Sequence, residues 1–169
     1  VHFMPESPDY PAVPTAGRYP ECPVVAVGAV VFNGERVLLV RRGQPPSQDL
    51  WAIPGGKVRL GETLQAAAER EILEETGITV RAHQPVYTFD LIEQDAQGRI
   101  RFHYVIVDLV ADYVTGTISA GDDAREVRWI GPDEIRQLKV SPQTIDLLQR
   151  KYGFGRPRAD GSPVPNMSR

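Results

Sequence analysis

The periodic part of the chain opens at residues 24–32 (VVAVGAVVF), a β-branched apolar run suited to a buried strand. Asn33-Gly34, at ease with positive φ, then turns the chain into a second apolar segment, 36–42 (RVLLVRR), so a buried hairpin is expected. Gly28 weakens the first strand and marks a bulge or a close backbone approach. Residues 44–49 are polar and Pro-rich, a surface loop ahead of Trp51-Ala52-Ile53 and a Pro54-Gly55-Gly56 turn, where two glycines let the backbone pass close to a ligand.

Over 63–76 the pattern becomes helical, with Thr63 placed to cap the start, three consecutive alanines, and Gly77 where a left-handed cap ends a helix. Strand-like segments follow at 78–80, 86–93 and 100–111, the last two joined through 94–98 as a second hairpin, with shorter strands at 115–119 and 127–130. Residues 132–138 read as a brief helix, and Ser141-Pro142 has the chemistry to start another through residue 151. This order of hairpin, helix, strands and terminal helices predicts an α+β fold, an α/β/α sandwich around a mixed sheet. Prolines at 5, 8, 11, 14, 20 and 23 exclude a regular helix at the N-terminus, and nothing periodic follows 153. The expected division is an extended arm over 1–22, a folded domain over 23–152 and a loose tail over 153–169.

Composition narrows the function. At 169 residues and 41% apolar content the chain can bury a sizeable core as one domain without disulfides, and a single cysteine, Cys22, fits a reducing, cytoplasmic setting. A net charge of only -3 supplies no basic field for nucleic acid, and no apolar run is long enough to span a bilayer, so neither nucleic acid nor membrane is an expected partner. An anionic substrate must be met locally.

Chemistry concentrates on the helix. Glu69, Glu71, Glu74 and Glu75 fall within seven residues. At 100° per residue, Glu71, Glu74 and Glu75 share an arc of about 100°. Leu64, Ala67 and Ala68 lie on that same side, so the carboxylates continue an inward apolar stripe, whereas an ordinary acidic run is a solvated face. Leu73 and Ala66 make the opposite side apolar too, which predicts a helix packed between layers. Half-buried carboxylates repel one another and call for positive charge. Oxygen-only ligands select a hard divalent cation, and Mg²⁺ commonly shares its coordination with substrate phosphates. Arg70, at i,i+4 from Glu74, can hold one carboxylate in orientation.

The spacing Gly56, five residues, Glu62, seven residues, then Arg70-Glu71-Ile72-Leu73-Glu74-Glu75-Thr76-Gly77-Ile78 resembles a complete Nudix box. The hairpin before it, the WAIPGG entry and the EVRWI segment are similar to the same family, so the resemblance spans roughly 23–150. It implies a Nudix sandwich whose loop-helix-loop binds Mg²⁺ or Mn²⁺ and hydrolyses a nucleoside diphosphate linked to another moiety, a small-molecule nucleotide substrate. By position, Glu71, Glu74 and Glu75 become metal ligands, with Glu71 or an acid elsewhere as base, Glu62 orienting metal-bound water, and the Gly55 carbonyl a further ligand. Many members add a later acid; Asp122, Asp123 and Glu126 are the candidates, Glu126 first. The surrounding pattern is most similar to ADP-ribose pyrophosphatases, which yield AMP and ribose 5-phosphate. The proline of the better-known ADP-ribose signature would stand near Gln94, and the closest here is Pro85. A (d)NTP pyrophosphatase of the nucleotide-sanitising type is therefore the alternative, and a non-catalytic nucleotide-sensing module the rival of another class, one that tends to lose box carboxylates. For substrate contacts, Arg41 and Arg42 can clamp phosphate or stack on a base, and Phe89 with His103 can stack on and hydrogen-bond a base. Dimers are common in the family, so a homodimer is an expected assembly.

Overall fold

A computed structural model describes residues 19–121 and 123–156. Most of the expected arm, part of the expected tail and Asp122 lie outside the described residues. The elements are strands β1 (Val24–Asn33), β2 (Arg36–Arg42), β3 (Trp51–Ala52) and β4 (Gly55–Lys57), helix α1 (Leu64–Thr76), strands β5 (Thr79–Gln94), β6 (Ile100–Thr115) and β7 (Ala124–Ile130), a 3-10 turn (Glu134–Gln137) and helix α2 (Pro142–Tyr152).

β1 is the centre of a mixed sheet of order β3-β2-β1-β6-β5, with β4 added to β1 and β7 to β2. It runs parallel to β6 from Val24 opposite Tyr104 to Phe32 opposite Asp112. Its apolar sequence is unbroken because both faces are covered. Val27, Ala29 and Val31 face a core shared with Ala67, Ala68 and Ile72 of α1, while Val30 faces a second core with Leu147 and Leu148 of α2. The result is the α/β/α sandwich expected from the element order.

The expected first hairpin forms at Asn33-Gly34, but it is short. β1 and β2 pair only at Phe32 with Val37 and Asn33 with Arg36. Beyond the turn the strands part: β4 takes the start of β1, and β7 takes the length of β2. The segments 78–80 and 86–93 are one strand, whose register shifts around Pro85 accommodate a residue with no N–H to give. No strand forms over 116–119. The chain instead leaves β6 and lies over the end of α1, with Ser119 N–H donating to the Thr76 carbonyl (2.8 Å) and Gly121 N–H to that of Glu75 (2.9 Å). Those bonds satisfy carbonyls a helix end leaves open.

α1 begins where Thr63 accepts from Ala66 N–H and ends at Gly77, φ 74°. Ala67, Ala68 and Ile72 are buried, but Ala66 is exposed and Leu73 is 51% exposed. The helix is thus covered on one side only, and its second apolar stripe faces outward, contrary to the expectation of packing between layers. α2 starts at Ser141, whose hydroxyl accepts from Thr144 N–H, with Pro142 behind it, and ends at Gly153. Ala26, Phe102 and Tyr104, with Val24, Leu91 and Ile106, form a third small cluster that contains no helix residue. It floors the site.

Candidate active site

A cleft of about 990 Å³ opens over that floor. One wall is the segment Gly55 to Arg59 together with Glu71, Glu74 and Glu75 of α1; Arg42 and Asp123 close one end, and Ser141, Gln143 and Thr144 at the start of α2 close another. The carboxylates that helical phase grouped therefore reach one space, but to unequal depth.

Glu75 is the deepest of the three. Burial pushes its carboxyl up from 4.5 to about 7; the Gly55 N–H, donating at 3.0 Å, and the nearby Arg42 oppose the rise, while Glu71 and Asp123 add to it. Glu71 lies against Gly56 so closely that a Cβ there would stand 2.4 Å from its Oε2. Glu74 is half exposed and shared between Arg59 at 3.2 Å and Arg70 at 3.1 Å.

Arg70 ties the wall together. It holds Glu62 through two bonds of 2.6 and 2.8 Å, reaches Glu71 at 2.6 Å and donates to the Lys57 carbonyl at 3.0 Å. Those bonds raise its own proton affinity. The bond from Arg70, assisted by the Arg59 N–H at 2.9 Å, draws the Glu62 carboxyl down to about 2. A planar fork can serve several carboxylates at once, which an ammonium cannot.

Among the described residues, no three acidic, histidine or cysteine side chains are already gathered as a metal cage. The donor set nevertheless fits a hard divalent cation. It is all oxygen, it lies in one cleft, and its deepest member is a buried carboxylate crowded by Glu71 and Asp123. Such a site gains from an added positive charge.

Of the other residues singled out in the sequence, Gly55, Arg42 and Phe89 line the cleft; Arg41, His103 and Glu126 do not. Alternation explains all three. Arg41 turns to Asp49 at 3.4 Å, whereas Arg42 bonds the Pro46 carbonyl at 2.9 Å at the cleft edge. Phe89 stands opposite Ile106, but His103 stands opposite Ile92 on the reverse face of the sheet, so the two cannot share a base. Glu126 stands 2.7 Å from Arg128, and the acid that faces Glu75 is Asp123, brought there by the segment over the end of α1. Glu62 and Arg70 stand behind the wall, braced on each other. Sequence reasoning missed Lys57, Arg59, Gln143 and Asp108 as cleft residues. Asp108 alone left a signal, an acid within the apolar strand IVDLVA.

Residues 23–151 match the family model described as NUDIX domain. The chain is 30% identical over 133 residues to the ADP-ribose pyrophosphatase of Methanocaldococcus jannaschii, covering 78% of this chain and 76% of that protein. It is also 30% identical over 130 residues to the CTP pyrophosphohydrolase of Escherichia coli, covering 75% and 89%. Among solved structures it is similar to a NUDIX hydrolase from Nitrosomonas europaea, with a TM-score of 0.64, 26% identity, and 79% and 75% of the two chains covered.

Proposed function

The chain belongs to the Nudix family of pyrophosphohydrolases, and from that premise we propose that it hydrolyses ADP-ribose to AMP and ribose 5-phosphate with Mg²⁺ or Mn²⁺. The observation that carries this reading is a single cleft with two unlike ends. Carboxylates, Lys57, Arg59 and Arg42 crowd one end, and the other is an apolar strand face bearing Phe89. Its volume of about 990 Å³ suits a substrate in which a diphosphate joins two bulky groups.

In this reading Glu71, Glu74 and Glu75 would hold the cation, and the Gly55 carbonyl would be a further ligand. When bound, the cation offsets charge on the phosphate oxygens and favours attack by water. Arg70 and Glu62 are positioning residues: their fork fixes the carboxylates of Glu71 and Glu74 before substrate arrives. Lys57 and Arg59 offer donors to the diphosphate. Water attacks one phosphorus, the bridging P–O bond breaks, and the two phosphate groups separate. Asp123, whose charge adds to the rise of the Glu75 carboxyl, accepts the proton that water releases. Phe89 stacks on a planar group of the substrate. The free thiol of the exposed Cys22 is in keeping with a cytoplasmic setting.

The resemblance to a CTP pyrophosphohydrolase supports a second reading, hydrolysis of a nucleoside triphosphate. One assay separates them. With Mg²⁺ and with Mn²⁺, ADP-ribose should give the highest kcat/KM in a panel that also holds NADH, diadenosine polyphosphates, GDP-mannose and (d)NTPs. A clear preference for a triphosphate would move the protein to the second reading. In the same assay Asp123→Asn should lower kcat about 100-fold, the lower range for a lost general base, with metal affinity kept; an unchanged kcat would remove Asp123 from that role.

A further inference from the structure

One buried carboxyl is left over. Asp108 on β6 is 5% exposed, lines the cleft, and has no hydrogen-bond partner among the described residues. The sheet register fixes its surroundings. Across the floor the side chains stand in rows: Val24, Tyr104 and Leu91; then Ala26, Ile106 and Phe89; then Gly28, Asp108 and Tyr87. The third row ends the apolar floor, because Tyr87 bonds Asp146 of α2 at 2.6 Å and closes the cleft there. Gly28 gives the carboxyl its room: a Cβ at that position would stand 2.2 Å from Asp108 Oδ1.

The Asp108 oxygens open onto the cleft, since neither is among the buried polar atoms left without a partner, and a carboxyl that meets the cleft with no protein partner is free to take one from a ligand that arrives. Phosphate is excluded as that partner by charge, and the register sets Lys57 opposite Ala26, one row away from Gly28 and Asp108. What reaches Asp108 is whatever lies flat on Ala26, Ile106 and Phe89. A strand face that carries Phe89 with Tyr104 and Phe102 takes a planar heteroaromatic group.

We propose that Asp108 reads the nucleobase, its carboxyl accepting a hydrogen bond from an exocyclic amino group at the edge of a base stacked over the Phe89 row. This rests on the reading of the cleft as a nucleotide site and adds to it the group that chooses the base. Burial raises the carboxyl to about 7, so near neutrality it also offers a proton to the ring nitrogen beside the amino group. Adenine and cytosine present that pair of groups on one edge.

The test measures binding, not turnover, on the whole 169-residue chain with Mg²⁺ present. AMP, purine riboside 5′-monophosphate, which lacks the amino group, and ribose 5-phosphate, which lacks the base, are titrated calorimetrically into wild type, Asp108→Asn and Asp108→Leu. Wild type should bind AMP about 10- to 100-fold tighter than purine riboside monophosphate, the range for one hydrogen bond made in a buried site. Asp108→Leu should erase that difference while leaving ribose 5-phosphate unchanged, and Asp108→Asn, which keeps an acceptor and a donor, should retain it. Equal or undetectable binding of AMP and purine riboside monophosphate by wild type overturns the proposal, as does an Asp108→Leu loss shared with ribose 5-phosphate. If the leucine variant does not fold, the wild-type comparison and the asparagine variant still decide. A failed ADP-ribose panel leaves this result standing, since none of the three probes carries the scissile bond.

Discussion

Replacing Glu75 with glutamine should stabilise the metal-free protein at high pH while abolishing most of its turnover. The glutamine amide oxygen can still accept from the Gly55 N–H at 3.0 Å, so the packing is kept and only the charge is removed. In the fold the carboxyl stands at about 7 against 4.5 outside it, chiefly through burial. The folded state thus binds the proton more tightly. Its stabilising effect is full below 4.5 and is lost as pH rises through 7. At about 1.4 kcal/mol per tenfold change in proton affinity, ionised Glu75 costs the fold about 3 kcal/mol at pH 8 and under about 1 kcal/mol at pH 5. For a chain of this length that is a rise in Tm of about 6–12 °C for Glu75→Gln at pH 8. Asp108, also raised to about 7, is present in both proteins, so the difference between them isolates Glu75. Saturating Mg²⁺ should then invert the order, because ligand at about 1,000 times its Kd adds about 4.1 kcal/mol to the protein that binds it well, more than ionised Glu75 costs. Calorimetric melts at pH 5 and pH 8, with chelator and with Mg²⁺, check all four values. A variant no more stable than wild type at pH 8 in chelator, or a gap that does not shrink at pH 5, would refute the view of Glu75 as a charge held against burial for a cation.

Two further perturbations act on the same wall. Arg70→Lys keeps the charge but cannot hold Glu62, Glu71 and the Lys57 carbonyl together, so kcat/KM should fall about 10- to 100-fold and Tm by a few degrees, corresponding to about 1–2 kcal/mol; steady-state kinetics and a melt check it, and wild-type kinetics would show that a point charge suffices. Gly56→Ala places a methyl group 2.4 Å from Glu71 Oε2, at the movable end of a side chain, so kcat should drop about 100-fold for a shift of about 1 Å while Tm changes little; a large loss of Tm with normal kcat would reverse the assignment.

Local signals were the legible part of this chain. Thr63 and Gly77 bound α1, and Ser141-Pro142 and Gly153 bound α2, because caps are satisfied within a turn of the helix and leave their residue types in the sequence. The sheet was less open to reading. The parallel pairing of β1 with β6 joins segments about 80 residues apart and has no turn to announce it, whereas Asn33-Gly34 announced a hairpin that pairs at only two positions. Helical phase placed Glu71, Glu74 and Glu75 on one side correctly but could not grade their depth. Depth depends on Gly55 and on the 116–121 segment lying over the end of α1, both remote from the helix in sequence. Arg41, His103 and Glu126 lie outside the cleft lining for one shared reason: in a strand a single position decides the face, and register comes from the partner strand.

The same logic shows how two glycines organise the cleft. Gly56 on β4 and Gly28 on β1 each lie under a carboxylate, that of Glu71 and that of Asp108, in the space a side chain would fill. Gly56 pairs with Val27 and Gly28 with Asp108, so the two glycines turn their Cβ positions to opposite faces of the sheet: Glu71 reaches Gly56 from α1, and Asp108 stands beside Gly28 on β6. The neighbours of each set its work. Glu71 has Arg70 at 2.6 Å and shares the cleft with Glu74 and Glu75, a crowding of charge that favours a cation. Asp108 has the apolar floor and no charged partner, a setting that favours the neutral acid and a hydrogen bond. Two identical omissions of a Cβ thus yield opposite electrostatic ends of one cleft, and a molecule with a diphosphate at one end and an amino-bearing ring at the other is complementary to both.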